Sequence, residues 1–245
     1  MLVKLLTSLG TLILVMAAIL FVAAGTLAYW QAWLFLACYL TASLVVSLWL
    51  MRNDPELLQR RMRGGPIAES ERNQKIIMTI TSLGFVALLV VPGLDHRFGW
   101  SHVPNSVAIL GDLLLLAGWA GILTVFRINS YAAATIQVAA GQAVISTGPY
   151  AIVRHPMYAT ALLMLLGIPL ALASWWGVAV MLGLLPALAW RLIDEERVLL
   201  RDLGGYAEYR AQVRSRLIPH IWSKLKMGVL PRCCTCTVSP TLQLN

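Results

Sequence analysis

Charge is what this chain has least of. Asp, Glu, Lys and Arg together make up 12% of its 245 residues, against 59% hydrophobic. Soluble domains carry about a quarter charged residues, so a water-soluble globule is excluded: its surface would lack a polar coat. Cysteine and histidine are also sparse, with four of each. Cys38 sits inside an apolar run, and Cys233, Cys234 and Cys236 crowd the tail without a fourth ligand, which excludes a disulfide framework and an ordinary zinc site. His96, between Asp95 and Arg97, and His102 share one loop with no further ligand in view, so no metal is expected. A Ser-His-Asp order and a phosphate-binding glycine loop are both missing.

What the chain has instead is apolar length. Runs of about 17–25 residues are long enough to cross a bilayer. Six are present, at roughly 5–24, 30–50, 76–93, 104–126, 157–173 and 177–193. The first is too long for a signal-peptide core and reads as a retained span. The fifth and sixth are joined only by Ser174-Trp175-Trp176, a tight interfacial hairpin turn. With the N-terminus placed in the cytoplasm, every Lys and Arg except Arg97 falls on the cytoplasmic side. The net charge of +8 is therefore a topology signal, with attraction to membrane lipid as a secondary effect, and nucleic acid is not an expected partner. The expected fold is all-α: a polytopic integral membrane helical bundle of about six spans, with a C-terminal helical hairpin, a cytoplasmic pocket and both termini cytoplasmic.

Residues 148–158, GPYAIVRHPMY, organise the rest. Gly148-Pro149 makes a turn, and Pro156 suits the first position of a helix, so His155 sits at the helix mouth beside unpaired N–H groups and the positive dipole end. About 40 residues on, Arg191, Asp194, Glu195 and Glu196 close the sixth run. Because the two runs form a hairpin, these clusters should face each other at the inner membrane boundary. Arg191 and Glu195 are four apart, on one helix face. Glu196 is turned by about 100°. Elsewhere, Asp54-Pro55-Glu56 reads as the start of an interfacial helix within the loop 52–75. Span three is expected to end at Pro92-Gly93. Asp112, in span four, is expected to pair or reach water. The stretch after Arg127 reads as irregular backbone over a pocket. Tyr206, Tyr209 and Val213 share a face that either closes the pocket or lies on lipid.

Such residues suit group transfer by positioning. A carboxylate can bind the ammonium of an amino-acid-like cofactor, helix-start N–H groups its carboxylate, and an arginine an acidic substrate. The plain alternative is an ion-paired set of helix ends that only fixes the hairpin. GPYAIVRHPMY, then RLIDEE at 191–196, then GGYAEY at 204–209 resembles the isoprenylcysteine carboxyl methyltransferase family and its phospholipid methyltransferase relatives, over about residues 135–222. The resemblance implies an integral membrane enzyme using S-adenosylmethionine. It implies cofactor contacts from Gln137, Gln142, Ala143, Val144, Ile145, Tyr150, His155, Pro156, Met157, Tyr158 and Glu195, with Arg191 as the substrate-contacting and catalytic residue. The acceptor would be a lipophilic small molecule or lipidated substrate, for example an isoprenylcysteine carboxylate. The division expected is a membrane scaffold over 1–134, a cofactor-binding core over 135–222 and a poorly ordered tail over 223–245. Two rival readings are a sterol-type reductase, with Arg210, Arg214 and Arg216 holding a nicotinamide cofactor's phosphate, and a non-catalytic membrane scaffold.

Overall fold

The computed structural model describes residues 1–219 apart from 63, 65–68, 70, 133, 136–137 and 139–140. Among these are eight α-helices and no strand: α1 (Leu2–Ala24), α2 (Trp30–Asn53), α3 (Pro55–Met62), α4 (Arg72–Phe98), α5 (Asn105–Ile128), α6 (Pro156–Ala171), α7 (Trp175–Asp202) and α8 (Tyr206–Gln212). Gln137 and the tail over 223–245 lie outside the described residues. The all-helical membrane bundle expected from the sequence is what folds. Five helices, α1, α2, α4, α5 and α7, are long and apolar enough to cross a membrane.

The fifth run makes a shorter helix than expected. α6 has 16 residues, about 24 Å at 1.5 Å per residue against a hydrocarbon core of about 30 Å. Leu172 and Ala173 leave the helix to form the hairpin turn. Ala173 takes φ 51, and the Ser174 hydroxyl accepts from the Gly177 N–H at 2.9 Å to cap α7. Protein compensates for the missing length. A Cβ added at Gly111, Gly118 or Gly121 of α5 would lie 2.1 Å from Ala171 N, 2.7 Å from Met164 Cβ or 2.3 Å from Thr160 Cγ2 of α6. Small residues let two helices approach where lipid gives no hydrophobic drive and dispersion holds the bundle together.

Span three also differs. α4 runs through Pro92-Gly93 and stops only at Phe98, where Gly99 adopts a left-handed cap and its N–H bonds to the Asp95 carbonyl at 2.7 Å. At Gly93, α4 crosses α1 closely enough that a Cβ would meet the Leu20 carbonyl at 2.9 Å. α4 packs on α1 and α7, while α5 packs on α2 and α6. Asp112 in α5 is 4% exposed, and neither oxygen has a hydrogen-bond partner among the described residues. It neither pairs nor reaches water as expected, because α5 presents it to the bundle rather than to the boundary.

At the hairpin's turn, Asp95 gathers the connections. Its carboxylate accepts from Ser101 N at 2.8 Å, Ser101 Oγ at 2.5 Å and Ser174 Oγ at 2.5 Å. Tyr29 donates its hydroxyl to the Leu172 carbonyl and stacks on His96 at 3.9 Å. His96 thus serves packing, and among the described residues no group of three or more His, Cys, Asp or Glu is placed to share an ion.

Candidate functional site

The hairpin's open end carries the polar clusters. α5 stops at Ile128, and the next helical element among the described residues is a 3-10 turn over Gly148–Ala151. Gly148 holds φ +58 with a Cβ-sized gap closed by Ile128, which fits only glycine there. His155 is the N-cap of α6 and Pro156 its first residue. The backbone before the helix is pinned from below: Arg154 N donates to the Ser215 carbonyl at 2.9 Å and His155 N to the Arg216 carbonyl at 3.0 Å.

Two adjacent glutamates on α7 take opposite roles. Glu196, 4% exposed, accepts from Arg154 Nε at 2.8 Å and from Arg216 Nη2 at 3.0 Å, and lies 3.3 Å from His155 Nε2. Arg154 also donates to the Val213 and Arg214 carbonyls. This cluster clasps the segment after α8 onto the start of α6. Glu195 turns the other way, into a cavity of about 410 Å³, where the Tyr158 hydroxyl donates to it at 2.6 Å. That is its only hydrogen bond among the described residues. Small-molecule sites run from about 300 to 1,000 Å³, so the cavity is ligand-sized. The α7 face toward it is Leu188, Arg191, Glu195 and Leu199, the helical repeat expected of one stripe.

Arg191 is already engaged. Nη1 donates to Gln74 Oε1 at 3.0 Å, and Nη2 to Glu69 Oε1 at 3.0 Å and the Ala134 carbonyl at 3.1 Å. Gln74 in turn donates to Asp194 at 2.5 Å. The segment leading into α4 is thereby latched to α7.

Tyrosines line the floor. Tyr206 and Tyr209 of α8 are 3% and 5% exposed and border the cavity, so α8 closes the pocket rather than lying on lipid. Tyr209 donates to the Tyr150 carbonyl at 2.8 Å, and Asn129 donates to the Tyr150 hydroxyl at 2.7 Å. Burial pushes the Tyr150 phenol up to about 12 and raises Tyr206 and Tyr209 as well, so all three stay neutral at physiological pH. Arg61 is brought down by burial to about 10, remains cationic, and donates to the Ala132 carbonyl.

Of the residues expected from sequence, Gln142, Ala143, Val144, Ile145, Tyr150, His155, Met157, Tyr158, Arg191 and Glu195 all border this one cavity. Pro156 is buried behind it as the first residue of α6 and is not part of the wall. Arg61, Met78, Thr81, Asn129 and Tyr131 border it too without having been singled out. Met78 and Thr81 lie one and two turns beyond Gln74, a polar residue at the mouth of an apolar run, and that spacing was the available signal. Arg210, Arg214 and Arg216 are not among the cavity's residues, and Arg216 is committed to Glu196.

Residues 107–204, from α5 to the end of α7, match the family described as phospholipid methyltransferase. This matched segment is a domain of the isoprenylcysteine carboxyl methyltransferase and phospholipid methyltransferase family. The matched segment holds His155, Tyr158, Arg191 and Glu195, which meet at the cavity. A search of curated proteins finds no match. The family and the five long apolar helices make this an integral membrane protein of methyltransferase type.

Proposed function

We propose that this membrane protein transfers a methyl group from S-adenosylmethionine to a lipophilic acceptor drawn from the bilayer, with both termini and the cavity on the cytoplasmic side. The observation that carries this reading is Glu195: a carboxylate on the wall of a ligand-sized cavity, held by one hydroxyl and paired with no cation among the described residues. A cationic ligand suits it, because a partly buried anion gains most from an opposite charge. The residues fit the cofactor. Glu195 would hold its ammonium, the first turn of α6 at His155 and Met157 its carboxylate end, and Val144, Ile145, Tyr150 and the tyrosines of α8 its nucleoside. Gln137 and Gln142 to Ile145 belong to the same proposed binding segment. When bound, it supplies a methyl group whose bond to a positively charged sulfur breaks as the acceptor's lone pair closes on carbon, leaving a neutral thioether.

The chain's own residues then position and desolvate. Tyr158 fixes Glu195, and the tyrosines of α8 cover the cavity floor and limit water there, which favours a step that loses charge. Arg191 orients the acceptor; an acidic acceptor, such as an isoprenylcysteine carboxylate, would take the place of Glu69 on its guanidinium. Residues 135–222 would form the cofactor-binding core and 1–134 the scaffold, which lends Met78 and Thr81 as an apolar wall for the acceptor's tail. The test is to incubate membranes holding the protein with a methyl-labelled cofactor and to analyse lipids and proteins by mass spectrometry. Label in a lipid or lipidated product, lost in Arg191→Ala, supports the reading. Label in no product beyond that of membranes without the protein contradicts it.

A further inference from the structure

Two arginines from distant parts of the chain reach one short stretch of the cavity wall. Arg61, in the last turn of α3, donates from Nη1 to the Ala132 carbonyl at 2.9 Å. Arg191 of α7 donates from Nη2 to the Ala134 carbonyl at 3.1 Å. All four residues border the cavity. Two residues of chain span at most about 7 Å, so the anchors of the two guanidinium groups lie within about that distance. The end of α3 is tied to the same stretch twice more. Arg60 donates to the Ser130 carbonyl at 2.8 Å, and a Cβ added at Gly64 would lie 2.5 Å from that of Ala134. The Arg61 guanidinium also lies over the Phe126 ring, 4.6 Å from its centre, which holds the planar group in one orientation.

Charge is unevenly spread around the cavity. Arg154 and His155 border it but are turned to Glu196. Glu195 is the one carboxylate among the bordering residues. Arg61 and Arg191 add two cations on walls that are otherwise largely apolar, Met78 and Leu188 among them. Arg61 stays cationic at physiological pH although burial lowers it to about 10. A pair of guanidinium forks suits an oxyanion and repels an ammonium or sulfonium, which is left to Glu195. Arg191 is paired with Glu69 at 3.0 Å, so an entering oxyanion must exchange with Glu69. Arg61 supplies the further attraction that favours the exchange, and it acts in surroundings poorer in water than the surface.

We infer that Arg61 is an acceptor-binding residue that holds, together with Arg191, an oxyanion on the acceptor's polar head, a carboxylate or a phosphate. The inference rests on the proposed function and narrows its substrate class to acidic amphiphiles. The experiment takes the full chain in nonionic detergent, saturated with S-adenosylhomocysteine. It is titrated by calorimetry with dodecanoate, with dodecyl phosphate and with dodecanol as the neutral control. Wild type is compared with Arg61→Gln and with Arg52→Gln, which removes an exposed cation at the end of α2. At least one of the two anions should bind wild type more tightly than dodecanol, and which one does so tells carboxylate from phosphate. Arg61→Gln should weaken that anion about tenfold, the loss of one charge-assisted contact, and leave dodecanol and S-adenosylhomocysteine unchanged. Anions that bind no better than dodecanol, or equally well to wild type and Arg61→Gln, overturn the inference. An equal loss in Arg52→Gln also overturns it, since the attraction would then belong to the surface at large. So does a fall in S-adenosylhomocysteine affinity in Arg61→Gln, which would assign the cation to the cofactor or to the fold. Each of these results leaves the proposed function standing. Wild type that binds no S-adenosylhomocysteine overturns both.

Discussion

The hairpin of α6 and α7 has a carboxylate packed against each end, and the two could hardly be treated more differently. At the turn, Asp95 is 1% exposed and met by two serine hydroxyls and a backbone N–H. At the open end, Glu195 meets one hydroxyl and faces a cavity. A group whose acceptor capacity is filled by its own chain is a fastener; a group left partly unfilled on a cavity wall is available to a ligand. The same division runs between neighbours, since Glu196 is filled by Arg154, Arg216 and His155 while Glu195 is not. Sequence adjacency therefore says nothing about role here, whereas the 100° step between adjacent helical positions says a great deal.

Breaking the fasteners should cost stability in proportion to the charge stranded. The largest effect is expected for Glu196→Ala, which leaves Arg154 and Arg216, 7% and 6% exposed, without their shared anion. A loss of about 3–5 kcal/mol is expected, read by chemical denaturation in detergent. Asp95→Ala strands uncharged donors only and should cost less, about 2–3 kcal/mol, with cofactor affinity unchanged because the turn lies at the other end of the hairpin. A matching loss of affinity there would erase the distinction between the two ends. The smallest effect concerns Asp112, the carboxylate that neither end uses. Asp112→Leu removes an unpaired buried polar group and should raise stability by about 1 kcal/mol. Destabilisation instead would mean that the Asp112 carboxyl is satisfied in the membrane.

Much of this was legible in the sequence, for identifiable reasons. Long apolar runs with few charges can only be membrane helices, and a three-residue link can only be a hairpin, so the meeting of His155 with the 191–196 cluster followed from length alone. The start of α3 was legible from Asp54, whose carboxylate accepts from Leu57 N at 2.9 Å as an N-cap does. Less legible was anything set by contacts distant in the chain. The pairing of Arg191 with Glu69 joins residues 122 apart, and no local pattern announces it. The same holds for Met78 and Thr81, ordinary members of an apolar run until α4 is laid against α7. The persistence of α4 through Pro92-Gly93 was misread because proline and glycine argue for a stop, while the close crossing of α1 at Gly93 favours continuation. The short α6 was misread for the opposite reason: Leu172 and Ala173 are apolar, so composition could not show that they turn.

The account stands on Glu195 holding a cationic ligand. Titrating S-adenosylmethionine into the purified full chain, wild type and Glu195→Gln, tests this most directly by calorimetry. The expected result is saturable heat with wild type and an affinity at least tenfold weaker in the variant, the loss of one charge-assisted contact, with the melting temperature of the unliganded protein nearly unchanged. Equal heats and equal affinities for the two proteins would contradict it.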